Sequence, residues 1–187
     1  MKMFGVAAGF LALTMAFATI AAEVGGVKLD DKASVGGQEL VLNGAGIRTR
    51  AVFKVYVGSL YLPAKTANVE GVLANGPRRI QLNLLRDLSG DQLSDAVNDG
   101  LKESNPPADF EAVKAQTDQF IAILKSMGAL KEGSVISIDF VEGATKIAFN
   151  GAPKGTVPGE AFNRALTKIW VGDKPVQPDL KKAMLGG

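Results

Sequence analysis

We interpret residues 47–62 as one long β-strand. Its reactive side chains are those of Arg48, Lys54 and Tyr56. Successive side chains of a strand point to opposite faces, so these three are predicted to share one face. That face is cationic and phenolic at one end and apolar at the other. A guanidinium holds a carboxylate through two parallel hydrogen bonds, and a tyrosine hydroxyl can donate a third. The pattern predicts that Arg48, Tyr56 and Lys54 bind an anionic, apolar molecule.

The chain contains neither histidine nor cysteine, and this excludes several kinds of chemistry. Nucleophilic sites of the Ser-His-Asp or Cys-His type are ruled out, as are zinc, copper and iron sites that depend on imidazole. No group of Asp and Glu has the spacing of a calcium-binding loop. We therefore predict no metal site and no cofactor, and acid–base chemistry would depend on carboxylate, lysine and tyrosine.

Residues 1–22 have the composition of a secretory signal peptide. Lys2 supplies the positive charge, positions 4–20 are apolar apart from Gly and Thr, and small residues precede a cleavage site at Ala22–Glu23. The alternative is a retained membrane anchor, because roughly 17 apolar residues approach the length of a spanning helix. We expect cleavage and export to a bacterial periplasm, without stable membrane insertion. Residues 23–187 then form a single domain, and the lack of cysteine fits that compartment.

The charge of the predicted mature chain is close to zero. Without Lys2, 20 of the 21 basic residues remain against 19 acidic ones, for a net charge of +1. No basic stripe with interleaved aromatic residues occurs, so we do not expect nucleic acid as a partner. The expected partner is a small amphiphilic carboxylate, and the sequence leaves the oligomeric state open.

The periodicity of the remaining chain predicts one α+β domain, an antiparallel β-sheet with a layer of helices packed on one face. Glycines in Asn43–Gly46 indicate a tight turn before the long strand, since glycine permits a positive φ. Further strands and helices follow from alternating and helical apolar patterns. The predicted strands are 78–85, 134–141, 145–150 and 154–157. The predicted helices are 89–102, 108–127, 162–171 and 178–184.

Several of these segments together resemble the chalcone isomerase family. Asn43–Arg48 and Phe53–Leu62 are similar to the glycine turn, arginine and central strand of that fold. Leu88–Ser94 resembles its strand-to-helix junction, and Ile169–Val176 with Asp179–Lys182 resembles its terminal segment. The resemblance covers nearly the whole predicted mature chain and is closest to the exported bacterial branch. It implies the same α+β fold.

The resemblance also assigns individual residues. Arg48 falls on the catalytic arginine of plant chalcone isomerases. The active-site tyrosine and asparagine of those enzymes correspond here to Leu93 and Gly100, and a threonine corresponds to Tyr56. Cyclisation of a chalcone is therefore not expected. Plant fatty-acid-binding proteins of the same fold hold a carboxylate with an arginine and a tyrosine, which Arg48 and Tyr56 match in type.

These observations favour a non-catalytic periplasmic protein that binds a carboxylate-bearing apolar molecule such as a fatty acid. Two alternatives stay open. An isomerase- or lyase-type enzyme could use Arg48 as electrophile and Tyr56 as general acid, although no general base is evident. A haem-binding protein could use Tyr56 as the iron ligand and Arg48 on a propionate.

Overall fold

The computed structural model describes residues 22–74 and 76–187. Within them the chain forms eleven strands and six helices. The strands are β1 Ala22–Val24, β2 Val27–Leu29, β3 Lys32–Val35, β4 Gln38–Arg50, β5 Phe53–Leu62, β6 Arg78–Leu84, β7 Leu88–Ser89, β8 Ala129–Leu130, β9 Val135–Val141, β10 Ala144–Phe149 and β11 Ala152–Pro158. The helices are α1 Val69–Leu73, α2 Gly90–Ser104, α3 Pro107–Ala112, α4 Lys114–Ser126, α5 Glu160–Val171 and α6 Pro178–Met184. The predicted signal peptide lies outside the described residues, apart from Ala22.

Seven strands form one antiparallel sheet in the order β11-β10-β9-β6-β5-β4-β3. Two small pairs, β1 with β2 and β7 with β8, stand apart from it. Strand β6 is central and alternates regularly, with Ile80, Leu82 and Leu84 buried and Gln81 and Asn83 only half-buried. Such alternation is typical of a strand with one face on the core.

The helices pack on one face of this sheet and build the main core with it. Side chains of β5, β6, β9 and β10 meet apolar residues of α1, α2, α4, α5 and α6 in a single cluster. A much smaller cluster of Val35, Leu40 and Tyr61 covers the opposite face. The predicted α+β architecture is therefore confirmed. No helix in the described part of the chain combines the length and the hydrophobicity needed to cross a bilayer.

The junction between β7 and α2 is a capping box formed by Ser89 and Gln92. The Gln92 backbone N–H donates to the Ser89 hydroxyl at 3.1 Å, and the Ser89 backbone N–H donates to the Gln92 side chain at 2.9 Å. This reciprocal pair satisfies two donors at the helix N-terminus. The helix consequently starts at a defined residue and presents Leu93, Val97 and Leu101 to the core.

The predicted long strand over 47–62 is wrong, because the chain reverses within it. Strand β4 ends at Arg50, residues Ala51 and Val52 form the turn, and β5 returns beside β4 from Phe53. Ala51 has φ of 52°, an uncommon value for a residue with a Cβ atom. Two-residue hairpin turns usually contain Asn or Gly, and their absence explains why the sequence pattern indicated a continuous strand.

The predicted glycine turn at Asn43–Gly46 is also wrong, since β4 continues through it. Neither Gly44 nor Gly46 has a positive φ. A Cβ atom at Gly44 would lie 2.1 Å from the carbonyl oxygen of Ala183, and one at Gly46 would lie 2.7 Å from the Cβ of Ala183. The glycines therefore allow α6 to approach the strand closely.

The predicted helix over 108–127 is divided into α3 and α4 at Val113. The Val113 backbone N–H donates to the carbonyl of Phe110 at 3.2 Å, which tightens the chain locally. Its side chain is buried in the main core, whereas α3 buries no residue fully. The apolar stripe continues in α4, where Thr117, Phe120 and Leu124 are buried.

Candidate functional site

A cavity of about 810 Å³ lies between the β4–β5 hairpin and helices α2 and α5. Its volume is within the range of pockets that hold small organic ligands. The lining combines an apolar interior with a charged rim. The lining residues are Arg48, Arg50, Ala51, Phe53, Val55, Tyr56, Leu82, Arg86, Asp87, Leu88, Gln92, Leu93, Asp95, Ala96, Val97, Asp99, Gly100, Glu103, Ile169, Trp170 and Val176.

Arg48 and Tyr56 lie directly opposite each other across the hairpin and both line this cavity. Opposed residues of an antiparallel pair have Cβ atoms about 5 Å apart. On one continuous strand they would be separated by about 26 Å, too far to share one carboxylate. The turn that the sequence analysis missed is thus what brings the predicted pair together.

Tyr56 is buried, with 8% of its surface exposed, and its hydroxyl accepts a hydrogen bond of 2.9 Å from Nε1 of Trp170. Burial raises the pKa of the Tyr56 hydroxyl, while the Trp170 hydrogen bond and the charge of Arg48 act in the opposite direction. The hydroxyl stays protonated at neutral pH. No described residue accepts its hydrogen, so this hydrogen can be donated to a bound molecule.

Arg48 is half-buried and is oriented by the segment that precedes α6. Its Nη1 donates to the backbone carbonyl of Thr49 and to Oε1 of Gln177, the latter at 3.3 Å. The amide of Gln177 is itself held, because Oε1 accepts from the Thr49 backbone N–H at 2.9 Å and Nε2 donates to the carbonyl of Ile47 at 3.2 Å. Among the described residues, no carboxylate lies within ion-pair distance of Arg48, and its Nε and Nη2 have no partner.

Lys54 occupies a different position from the other two predicted ligand-binding residues. It is exposed, lies opposite Thr49 in the hairpin, and does not line the cavity. The structure therefore brings Arg48 and Tyr56 together and leaves Lys54 on the outer surface near the turn.

Leu93 and Gly100 form part of the α2 wall of the same cavity. Neither carries a hydrogen-bonding side chain, so the wall that faces Arg48 is apolar at these two positions. A Cβ atom at Gly100 would lie 3.0 Å from Cγ2 of Ile169. Ile169 thus occupies the space that a longer side chain at position 100 would need.

Opposite charges stand on the two sides of the rim. The hairpin and the segment after β6 contribute the exposed residues Arg50 and Arg86, and Asp87 next to Arg86 is paired with Lys131. Helix α2 contributes Asp95, Asp99 and Glu103. The three acidic residues are spaced by four and therefore share one helix face. The sequence analysis did not identify this stripe, although its i, i+4 spacing is visible in the sequence.

Trp170 was also missed as a site residue. It is buried, and it lines the cavity as well. A buried indole N–H requires an acceptor. That requirement was the available signal, and the acceptor is the Tyr56 hydroxyl.

The structure is an α+β fold with a cavity of about 810 Å³ between its sheet and its helices. The profile of the chalcone isomerase-like family matches residues 21–186, and the chain belongs to this family. Among solved structures, an Arabidopsis thaliana fatty-acid binding protein is similar with a TM-score of 0.67 and 16% identity, over 86% of this chain and 92% of that one. At this identity the likeness concerns the fold. No curated protein matches the sequence.

Proposed function

We propose that this protein binds a carboxylate-bearing apolar molecule, such as a fatty acid, and does not transform it. The observation that carries the proposal is the Arg48 guanidinium. It lines a cavity that also presents apolar side chains, it has no carboxylate partner in the described chain, and its Nε and Nη2 atoms remain available. A half-buried cation of this kind is stabilised by an anionic ligand.

Tyr56 completes the head-group site. Its oxygen already accepts the hydrogen bond of Trp170, and its raised pKa keeps the hydroxyl proton in place. The group can therefore donate to a carboxylate oxygen that Arg48 holds by its planar fork. Lys54 is not part of the site that we propose, because it lies on the outer surface.

The apolar lining suits the tail of such a ligand. Each methylene that leaves water contributes about 0.8 kcal/mol, so a long chain supplies most of the affinity and the head group sets the orientation. The apolar residues available for it are Val55, Leu82, Leu88, Leu93, Val97 and Ile169. The fatty-acid binding protein with a similar fold is consistent with this use of the architecture.

Leu93 and Gly100 argue against catalysis, because they place no hydroxyl and no amide at the two positions that correspond to the active-site tyrosine and asparagine of the enzymes. The carboxylates Asp95, Asp99 and Glu103 are exposed at the rim, where water screens them and weakens them as general bases. Turnover of a chalcone above the uncatalysed rate would revive the enzyme alternative. The haem alternative needs a Tyr56 phenolate, which the raised pKa disfavours.

We further propose that the protein is exported to a periplasm. The charged and apolar composition of residues 1–22 supports this, and the family match that begins at residue 21 agrees with a domain starting there. Fractionation of cells that produce the whole chain is the test. The N-terminus of the recovered protein should be Glu23, and recovery of an uncleaved chain from the membrane fraction would support the anchor instead.

Trp170 is the one tryptophan of the sequence and lines the cavity, so its fluorescence reports binding directly. Titration with palmitate should shift or quench the emission, and hexadecanol should bind more weakly. Arg48→Ala should weaken palmitate binding by about 2–3 kcal/mol, or roughly 30- to 150-fold, because two charge-assisted hydrogen bonds are lost.

Arg50→Ala is the matched control, since it removes the same charge from the same hairpin at the exposed rim. We expect a much smaller loss there. Equal affinities of palmitate and hexadecanol, or equal losses in the two variants, would show that Arg48 does not recognise a carboxylate. Native mass spectrometry of the purified protein should then identify the ligand acquired in the cell.

A further inference from the structure

The tip of the β4–β5 hairpin is the most apolar part of the described surface. Val52 is 88% exposed and Phe53 is 56% exposed, and no other large hydrophobic residue in ranges 22–74 and 76–187 is exposed. Soluble proteins tolerate scattered apolar residues, but two adjacent ones at the end of a projecting hairpin form a small hydrophobic tip.

The turn itself is unusual for a hairpin that serves only to connect strands. Its central residues are Ala51 and Val52, where Asn and Gly would be favoured, and Ala51 has a positive φ of 52°. Backbone strain at a non-glycine residue is often found at functional sites. Here a valine that is 88% exposed occupies the second position of the turn.

Basic residues surround the tip. Arg50, Lys54 and Arg86 are all exposed, and the Arg86 guanidinium stacks on the Phe53 ring with 4.8 Å from its carbon to the ring centroid. An apolar centre with a cationic margin matches the interface of a bilayer that contains anionic lipids. The acidic residues Asp95, Asp99 and Glu103 stand on α2, across the cavity from the tip, and Asp87 beside Arg86 is paired with Lys131 at 2.7 Å. The tip is therefore the cationic side of the rim, which directs the hairpin toward the lipid.

We propose that this tip, Val52 and Phe53 with Arg50, Lys54 and Arg86, docks the protein peripherally on an anionic membrane surface. Arg50, Ala51, Phe53 and Arg86 also line the cavity, so the docked tip places the hairpin side of the cavity mouth next to the lipid. This inference rests on the proposed function, because a fatty acid could then enter from the bilayer without crossing bulk water.

Flotation of the protein, without residues 1–22, with vesicles tests the proposal. A large fraction of the protein should float with vesicles of phosphatidylcholine and phosphatidylglycerol. A much smaller fraction should float with vesicles of phosphatidylcholine alone. Val52→Ser should weaken binding to the anionic vesicles about tenfold, the effect of one valine side chain that no longer enters the interface. Because Val52 does not line the cavity, palmitate binding in solution should be unchanged in this variant.

Lys54→Gln should weaken binding to the anionic vesicles about fivefold, which corresponds to one basic side chain near the surface. Lys154→Gln is the matched control, because Lys154 is exposed on β11, at the far edge of the sheet from β4 and β5. Equal effects of the two lysine variants, undiminished binding of Val52→Ser, or no flotation of the unmodified protein would overturn the proposal.

The two proposals fail separately. A protein that binds palmitate in solution but does not float with anionic vesicles contradicts membrane docking and leaves the proposed function intact. A protein that floats through Val52 and Lys54 but binds no carboxylate supports docking and contradicts the ligand site.

Discussion

Nε1 of Trp170 donates to the hydroxyl of Tyr56 over 2.9 Å, although the two residues are 114 positions apart in the chain. The bond connects α5 to β5 at the cavity. It also fixes the direction of the tyrosine hydroxyl beside Arg48. The helix and the strand that line the candidate site are therefore joined by a hydrogen bond between side chains.

Removal of either partner should destabilise the protein. Tyr56→Phe leaves the buried Trp170 N–H without its acceptor, which costs about 1–3 kcal/mol of the free energy of unfolding. Urea unfolding of this variant, of Trp170→Phe and of the double variant gives the coupling energy. We expect the two losses to be less than additive by about 1 kcal/mol, and full additivity would show that the bond does not stabilise the native protein.

The raised pKa of Tyr56 predicts an alkaline loss of stability. The unfolded chain releases this proton near the ordinary value of 10.0, whereas the native protein retains it to higher pH. Above that value the native state binds more protons than the unfolded state, so the free energy of unfolding decreases as pH rises. Below it, the contribution of Tyr56 is present in full.

Comparison with Tyr56→Phe isolates this effect, because Tyr61 and Arg78, whose pKa values are also shifted, are the same in both proteins. The phenylalanine variant should lose less stability between neutral and strongly alkaline pH. Parallel stability curves for the two proteins would contradict the assignment.

Close packing of α6 on β4 predicts a large effect of one methyl group at Gly46. An added Cβ would lie 2.7 Å from the Cβ of Ala183 and 3.2 Å from Cδ1 of Leu180. Gly46→Ala should cost about 1–3 kcal/mol of the free energy of unfolding, as overpacked positions do. Ala183→Gly in the same chain should restore part of this loss, although glycine alone in the helix costs about 0.5–1 kcal/mol. An unrescued double variant would indicate that another contact is responsible.

Arg78 is buried, with 4% of its surface exposed, and it joins α1, α5 and the sheet. Its guanidinium donates to the carbonyls of Val72 and Ala74 and to the side chains of Asn163 and Thr167. Burial without a carboxylate partner among the described residues lowers its pKa to about 10. Its hydrogen bonds, rather than an ion pair, hold the charge in place.

Arg78→Lys should therefore destabilise the protein by about 2–4 kcal/mol, because a compact ammonium cannot reach the same acceptors. Arg86→Lys makes the same exchange at an exposed position and should change the free energy of unfolding by less than about 0.5 kcal/mol. Similar denaturation midpoints for the two variants would contradict a structural role of the Arg78 network.

The architecture was predictable where local signals agreed with tertiary packing. The alternation in β6 indicated a half-buried strand, and Ser89 with Gln92 located the start of α2. The turn at Ala51–Val52 was not predictable, because neither residue has a turn preference and the strand pattern continues through it. Gly44 and Gly46 are required by the structure, but the predicted reason, a turn, was wrong. From sequence alone, a glycine that allows a helix to pack closely cannot be distinguished from one that turns the chain.

The residues that line the candidate site were partly predictable in type, but their geometry was not. Arg48 and Tyr56 were identified on a strand face, yet they meet across two strands. Lys54 was grouped with them by alternation, and a β-bulge at Val55, between Lys54 and Tyr56 on β5, changes that phase. Trp170 and Gln177 come from distant parts of the chain, and no local pattern connects them with the hairpin.

The arrangement of Arg48 has a consequence for the order in which the molecule can assemble. Gln177, which orients the guanidinium, and Met184, whose carbonyl accepts a 2.8 Å hydrogen bond from the Asn43 side chain, follow their partners by 129 and 141 residues. Contacts over such separations form late, because they must close long loops. Until the segment that ends in α6 has packed against β4, the arginine lacks the contact that orients it. The ligand binding that we propose therefore requires α6 to be in place.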